Sequence, residues 1–242
     1  MSDQAVLLVG GRGTRLGALT ADTPKPLLPV AGRPFLSHLV ERLAGYGFCE
    51  LLLLTGYLAP EFEAFQADWA GRGVTVTCRV EADPAGTGGA LHLALPDLAP
   101  EFLLLNGDSL FAIDLADFAA PPLPPGVDGR LALRAMPVAD RYGTVQLDQG
   151  RIVGFQPRTP GAGPGLINGG VYRLRRDAVA HLSSFPCSLE ADIFPKLAAA
   201  GRLEGRVFDG YFLDIGIPAD FARAQADFAP GGQAVNGKST KE

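Results

Sequence analysis

An apolar run that empties directly into glycines constrains this chain most. Ala5-Val6-Leu7-Leu8-Val9 has strand length and no polar side, as in a strand covered on both faces of a parallel sheet. Gly10-Gly11-Arg12-Gly13-Thr14-Arg15-Leu16 follows, and Thr23-Pro24-Lys25-Pro26 lies shortly downstream. A backbone without Cβ atoms can close around a phosphate chain and turn its N–H groups inward. Arg15 and Lys25 add the charge that a triphosphate needs. Gly10, Gly11, Gly13 and Thr14 are the candidate nucleotide contacts of this turn.

Two commoner glycine loops do not fit. The dinucleotide fingerprint G-x-G-x-x-G, counted from Gly11 and Gly13, requires glycine at position 16, where Leu16 stands. The P-loop requires a Gly-Lys pair, and none occurs near the turn. An isolated G-G-x-G is often an ordinary strand-to-helix turn. The addition of Thr-Arg and Pro-Lys-Pro at this spacing favours phosphate binding. Lysine usage points the same way: of 21 basic residues only Lys25, Lys196, Lys238 and Lys241 are lysines. A compact ammonium kept between two prolines, in a chain that uses arginine elsewhere, reads as chemically required.

Composition narrows the partners. The net charge is −5 with no basic cluster, which disfavours nucleic acid or an anionic membrane. No stretch approaches the roughly 20 apolar residues of a membrane span. Cys49, Cys78 and Cys187 are odd in number and widely spaced, which argues against a disulfide framework or zinc site and suits a reducing cytoplasm. His38, His92 and His181 are equally scattered and read as structural.

Further along, apolar runs and helical periods alternate. Phe35, Leu36, Leu39, Val40 and Leu43 share one helical face, and Leu51–Thr55 reads as a buried strand. Pro60–Trp69 reads as a helix, Val74–Val80 as a strand, Glu81–Gly89 as a loop, Ala90–Leu95 as a short helix and Phe102–Leu105 as a strand. This order predicts a doubly wound α/β fold with a mostly parallel central sheet. After the rigid connector AAPPLPPG at 119–126, Thr144–Leu147 and Ile152–Phe155 read as a hairpin. Gly170–Leu174 reads as a strand, Leu189–Ala200 as a helix, Tyr211–Ile215 as a strand and Pro218–Phe228 as a closing helix. One domain is expected over 1–230, with halves at 1–118 and 127–230 and a flexible tail at 231–242.

Two acids stand out. Asp108 follows an apolar strand within Asn106-Gly107-Asp108, and Asp214 lies within Phe212-Leu213-Asp214-Ile215-Gly216. An acid in apolar company is costly unless it is paired or binds a metal. In open parallel sheets ligands bind beyond the carboxyl ends of strands, so the pair is a candidate magnesium site facing a triphosphate.

From Ala5 to about Phe228, the G-G-x-G-T-R, P-K-P, Asn-Gly-Asp and Asp-Ile-Gly motifs resemble those of the sugar-1-phosphate nucleotidyltransferases. The resemblance implies a Rossmann-like nucleotidyltransferase fold with an added sugar-binding hairpin region. It also implies a reaction: a sugar 1-phosphate oxygen attacks the α-phosphorus of a nucleoside triphosphate in line, and pyrophosphate leaves. Catalysis would then be positioning and charge neutralisation, with no side-chain nucleophile. Arg15 would hold pyrophosphate, Lys25 would neutralise the reacting phosphates, and Mg²⁺ would sit on Asp108 and Asp214.

The same resemblance places the base over EADPAGTG, with Glu81, Gly86, Thr87 and Gly88 as contacts. A carboxylate suits the adjacent N1–H and N2–H donors of guanine, which favours GTP. Arg141-Tyr142-Gly143-Thr144-Val145, Asn168-Gly169-Gly170 and Ser188-Leu189-Glu190 resemble the D-glycero-α-D-manno-heptose 1-phosphate guanylyltransferases within a wider group that includes mannose enzymes. Asn106, Gly143, Asn168, Gly169 and Glu190 would then face the sugar phosphate. Where the family carries an acid and then a lysine, this chain has Pro157-Arg158, and Arg158 is expected to grip the phosphate. Product use in surface polysaccharide assembly and a homo-oligomeric state belong to the same expectation. A mannose-1-phosphate guanylyltransferase, or a uridylyl- or thymidylyltransferase of the same fold, is the near alternative. A non-catalytic regulatory relative would be expected to lose one of Arg15, Lys25, Asp108 or Asp214.

Overall fold

The computed structural model describes residues 3–232; of the tail read at 231–242, residues 233–242 lie outside the described residues. β1 (Gln4–Leu8) leads through 3-10 turns at Thr14–Thr20 and Lys25–Leu27 into a ribbon of β2 (Pro29–Val30) and β3 (Arg33–Pro34). Then follow α1 (Phe35–Gly45), β4 (Glu50–Thr55), α2 (Glu61–Asp68), β5 (Thr75–Val80) and α3 (Gly86–Leu93). β6 (Glu101–Asn106), β7 (Ser109–Phe111) and α4 (Leu115–Ala119) complete the first half. The second half holds β8 (Gly129–Met136), β9 (Thr144–Asp148), β10 (Arg151–Gln156), β11 (Gly165–Arg175) and α5 (Asp177–Ala180). It ends with α6 (Phe194–Ala199), β12 (Leu203–Phe208), β13 (Phe212–Asp214) and α7 (Pro218–Asp227).

Nine strands form one mixed sheet in the order β5-β4-β1-β6-β11-β8-β12-β10-β9. The first four are mutually parallel. The chain goes from β1 to β4 on one side and reaches β6 on the other, so a crevice opens beyond their carboxyl ends. β11 runs antiparallel to β6, and β9 pairs back onto β11 at Ile167 and Thr144. β11, β8, β12, β10 and β9 thereby close into a five-stranded barrel. The expectation of a mostly parallel sheet is corrected here: of the nine pairings in this sheet among the described residues, four are parallel and five antiparallel. The physical reason is connection length. Gln149 and Gly150 turn the β9–β10 hairpin with φ of 45° and 80°, too tightly for the crossover that parallel strands need.

Alternation sends Ala5, Leu7, Leu51, Leu53, Leu103 and Leu105 to one face of the parallel strands. Val6, Leu52, Leu54, Phe102 and Leu104 go to the other. α1, α2 and α7 cover the first face, and α3 and α6 the second. Both faces are dry, which is why these strands read as unbroken apolar runs; each fully buried leucine contributes about 1.5–3 kcal/mol of transfer free energy.

Two elements differ from their sequence reading. α3 begins at Gly86 and not near Ala90, because the Cys187 carbonyl accepts the N–H groups of Gly88 (2.8 Å) and Gly89 (3.2 Å). The segment read as one helix over Leu189–Ala200 winds as a π turn at Leu189–Ile193 before α6. Pro195 has no N–H to donate and sits in the first turn of α6. The connector at 119–126 is held by arginines. Arg130 Nη1 and Arg173 Nη1 donate to the Pro121 carbonyl (2.7 and 2.9 Å), and Arg175 Nη2 donates to that of Leu123 (2.7 Å).

Candidate active site

The carboxyl ends of the parallel strands deliver their residues to one edge. β1 hands over Gly10, Gly11 and Arg12; β4 hands over Gly56 and Tyr57; β5 hands over Glu81; β6 ends in Asn106 before Asp108. All of them line one cavity of about 580 Å³. A second cavity of about 680 Å³ opens beside it, lined by Gly13, Thr14, Arg15, Gly143, Arg158, Asn168 and Asp214 among others. The two share Lys25, Asn106, Asp108 and Glu190 as a common boundary.

Lys25 reaches this boundary because the loop between β1 and β2 coils back on itself. Thr20 Oγ1 donates to the carbonyls of Gly13 and Gly17, both at 3.2 Å. Gly13 has φ of +61°, and a Cβ there would meet Thr20 Cγ2 at 3.0 Å and Lys25 Cβ at 3.2 Å. The missing side chain therefore lets Lys25 dock against the turn. Its ammonium forms an ion pair with Asp108 Oδ2.

Asp214 arrives by a route the strand-end rule does not describe. β13 lies outside the nine-stranded sheet and pairs antiparallel with β7, putting Asp214 opposite Ser109. Ile215 N–H donates to the Asp108 carbonyl at 3.0 Å. Two acids 106 positions apart thus face one space. Burial raises the Asp214 carboxyl above its ordinary range, and the neighbouring Asp108 raises it further. The Gly216 N–H at 2.7 Å and the Lys25 charge act in the opposite direction. Among the described residues no three His, Cys, Asp or Glu side chains are grouped to hold a metal by themselves. Two converging carboxylates are nonetheless the donor set that Mg²⁺ takes when phosphates complete its shell.

Glu81 stands in the first cavity over two glycines. A Cβ on Gly56 would lie 2.7 Å from its Oε1, and one on Gly10 would lie 3.2 Å away. Ala85 N–H donates to Glu81 Oε2 at 3.1 Å, and burial raises the carboxyl's pKa. Gly86 and Thr87 also line this cavity. Gly88 does not: its absent side chain makes room for Ile193, whose Cδ1 would be 2.6 Å from a Cβ. Thr87 Oγ1 accepts from Leu189 N–H at 2.8 Å, so the start of α3 also holds the segment that carries Glu190.

Glu190 ends a polar chain across the boundary. Asn168 Nδ2 donates to Glu190 Oε1 (2.9 Å) and to Tyr172 Oη (2.9 Å), and Tyr172 Oη donates to Asn106 Oδ1 (3.4 Å). Burial pushes the Glu190 carboxyl up, the Asn168 contact opposes this, and the Asp108 charge adds to it. Gly169 lies outside both cavity walls, where a Cβ would strike Phe111; Gly170, with φ of +71°, takes the lining place. Arg12 and Arg141, quoted above only within their motifs, and Gly56, Tyr57 and Tyr172, which the sequence reading assigned no role, also line the cavities. The position of Tyr57 at the end of a buried strand could have found it; Tyr172 looks like any core aromatic. His38 and His92 are structural as expected, bonded to the carbonyls of Val30 (3.0 Å) and Val179 (2.8 Å).

Residues 4–230 match the family described as Nucleotidyl transferase. The chain belongs to that family. It is 33% identical over 232 residues to D-glycero-alpha-D-manno-heptose 1-phosphate guanylyltransferase of Aneurinibacillus thermoaerophilus, covering 93% of this chain and 97% of the relative. It is 36% identical to mannose-1-phosphate guanylyltransferase of Mycobacterium tuberculosis, covering 94% of this chain and 65% of that longer protein. HddC from Yersinia pseudotuberculosis, solved in complex with GMP-PN, superposes with a TM-score of 0.82 at 30% identity, covering 93% and 99% of the two chains. Among the described residues of this nucleotidyl transferase, no helix is long and apolar enough to cross a membrane.

Proposed function

We propose that this nucleotidyl transferase moves a guanylyl group from GTP to a mannose-type sugar 1-phosphate, with D-glycero-α-D-manno-heptose 1-phosphate the leading acceptor. The products are a GDP-sugar and pyrophosphate. The observation that carries this reading is the pair of cavities meeting at Lys25, Asn106, Asp108 and Glu190. One cavity suits a nucleoside triphosphate, the other a sugar phosphate, and the reacting phosphates would meet at the shared boundary. The names of the guanylyltransferase relatives support the same assignment. The first cavity draws mainly on the half at 1–118, with Tyr172, Ser188, Leu189 and Glu190 added from 127–230, and the second draws on both halves.

Each residue has a role in this scheme. The glycine turn receives the triphosphate, with Arg15 holding the departing pyrophosphate. Glu81 accepts from the guanine N1–H and N2–H. Asn168 and Glu190, already hydrogen-bonded to each other, present fixed polar atoms to sugar hydroxyls, a geometry that discriminates strongly among sugars. Arg158 grips the sugar phosphate. Lys25 offsets the repulsion between the two phosphates as the acceptor oxygen approaches the α-phosphorus in line. Mg²⁺ bound by Asp108 and Asp214 would supply further charge neutralisation to the phosphates. A pyrophosphate-release panel tests the assignment: four nucleoside triphosphates against heptose, mannose, glucose and N-acetylhexosamine 1-phosphates. GTP with a mannose-type acceptor is expected to give the highest kcat/KM. A preference for UTP or dTTP would move the chain to the uridylyl- or thymidylyltransferases.

A further inference from the structure

One wall of the second cavity is carried by the loop at 137–143 that joins β8 to β9. Ala139 N–H donates to the Gly163 carbonyl (3.1 Å) and Tyr142 N–H to that of Ala139 (3.0 Å). Gly143 then presses on β10, where a Cβ would stand 2.9 Å from the Gln156 carbonyl oxygen. From the middle of this wall Arg141 reaches across to α7, and its Nη2 donates to Asp220 Oδ2 at 2.6 Å. Asp220 is only 6% exposed and lies outside both cavity linings. Its other cationic partner, Arg223 at 3.4 Å, sits one turn along the same helix and cannot link the two walls.

The opposite wall is the segment that carries Asp214. Asp220 lies six positions after it, and Phe212, two positions before it, meets the Tyr142 ring edge-on at 6.0 Å. The Arg141 guanidinium stands 5.6 Å from the Tyr142 ring centroid. One ion pair, buried on the Asp220 side and exposed on the Arg141 side, and one ring contact therefore tie the two walls across the cavity. Arg141 also feels the charge of Asp214.

We propose, on the basis of the substrate assignment above, that Asp220 is a positioning residue for the sugar 1-phosphate. Through Arg141 it holds the Arg141-Tyr142-Gly143 wall at a set distance from the Asp214 wall. It touches no substrate itself.

Asp220→Asn tests this, because it keeps the side chain's shape and removes its charge. The KM for the sugar 1-phosphate is expected to rise about tenfold, as befits loss of a charged hydrogen bond, while the KM for GTP changes less than about twofold. Arg141→Met should show the same split, and the double variant should be no worse than either single one, since the two act as a unit. Asp220→Glu should recover part of the loss. If Arg141→Met raises the sugar KM and Asp220→Asn does not, Arg141 is a direct phosphate ligand and the proposal is overturned. Amide hydrogen exchange at Tyr142 supplies a readout that needs no substrate. Faster exchange in Asp220→Asn, or in Arg141→Met if the first variant does not fold, supports the tie; unchanged exchange overturns it. Wild-type protein inactive on every acceptor, together with faster exchange in the variant, would remove the substrate assignment and leave the tie standing.

Discussion

Gly56→Ala separates the base-reading role proposed for Glu81 from the stability of the fold. Gly56 has no positive φ, so alanine is conformationally acceptable there and reduces the freedom of the unfolded chain, worth about 0.4–1 kcal/mol in favour of folding. The new Cβ would lie 2.7 Å from Glu81 Oε1, 3.0 Å from Cγ and 3.3 Å from Cδ. Ordinary contact begins at 3.4 Å, so the carboxylate must retreat by roughly 0.7 Å. The clash falls on the end of a flexible side chain, and the fold should survive with stability within about 1 kcal/mol of wild type. The retreat pulls the carboxylate away from the Ala85 N–H and from any base placed against it. Two charge-assisted hydrogen bonds to guanine are at stake, and losing one costs about 1.5–3 kcal/mol, or roughly 10- to 100-fold in kcat/KM for GTP. Turnover with UTP should change far less. Gly86→Ala is the contrast: φ is +76° and the Cβ would lie 2.5 Å from the Cys187 carbonyl oxygen, a backbone atom, so folding itself should suffer. Urea titrations and kcat/KM for GTP and UTP measure both effects. An unchanged GTP-to-UTP ratio in folded Gly56→Ala would refute the placement of the base against Glu81.

Three other outcomes follow from the same geometry. Lys25→Met removes the cation paired with Asp108 and should lower kcat at least about 100-fold while circular dichroism stays native; near-normal turnover would remove the role given to Lys25. Arg173→Met removes one of two cations on Glu101 (2.8 Å) and one of two donors to the Pro121 carbonyl, with Arg175 and Arg130 remaining, and since Arg173 is only 7% exposed the variant should lose about 1–3 kcal/mol of stability in denaturant titration. Glu190→Gln should gain stability relative to wild type as the pH is raised. Burial raises the folded-state pKa of Glu190, so the native state holds its proton longer than the unfolded chain and its stability falls as pH rises from the unfolded value through the folded one. The advantage of Glu190→Gln should therefore grow as pH rises from about 4 and then level off. A pH-independent difference in unfolding free energy would contradict this.

Much of the fold was legible because local pattern and burial agree. The run at 5–9 is apolar on both sides because both faces of β1 are covered, and Phe35 to Leu43 repeat with helical period because one face of α1 meets the sheet. The Gly13 turn and the Pro-flanked Lys25 were legible as a unit for a reason now visible, since the glycine's missing side chain is the space into which Lys25 folds back. Glycine itself was a poorer guide at positions 88 and 169, where its absence of a side chain makes room for Ile193 and Phe111 and not for a ligand.

By itself the sequence determined the alternation of buried strands and helices, the glycine turn with its Pro-flanked lysine, and the presence of two acids in apolar company. These are properties of neighbours within a few residues, and side-chain periodicity and backbone freedom report them directly. Only the tertiary structure decided that β9 returns to β11 and closes a barrel, that β13 leaves the main sheet to lay Asp214 beside Ser109, and that Thr87 at the start of α3 holds the Glu190 segment at the boundary of two cavities. Each of these is a contact between segments tens of residues apart, set by pairing register and by which surfaces remain to be buried. No local pattern encodes that choice, because the partner that completes it lies elsewhere in the chain.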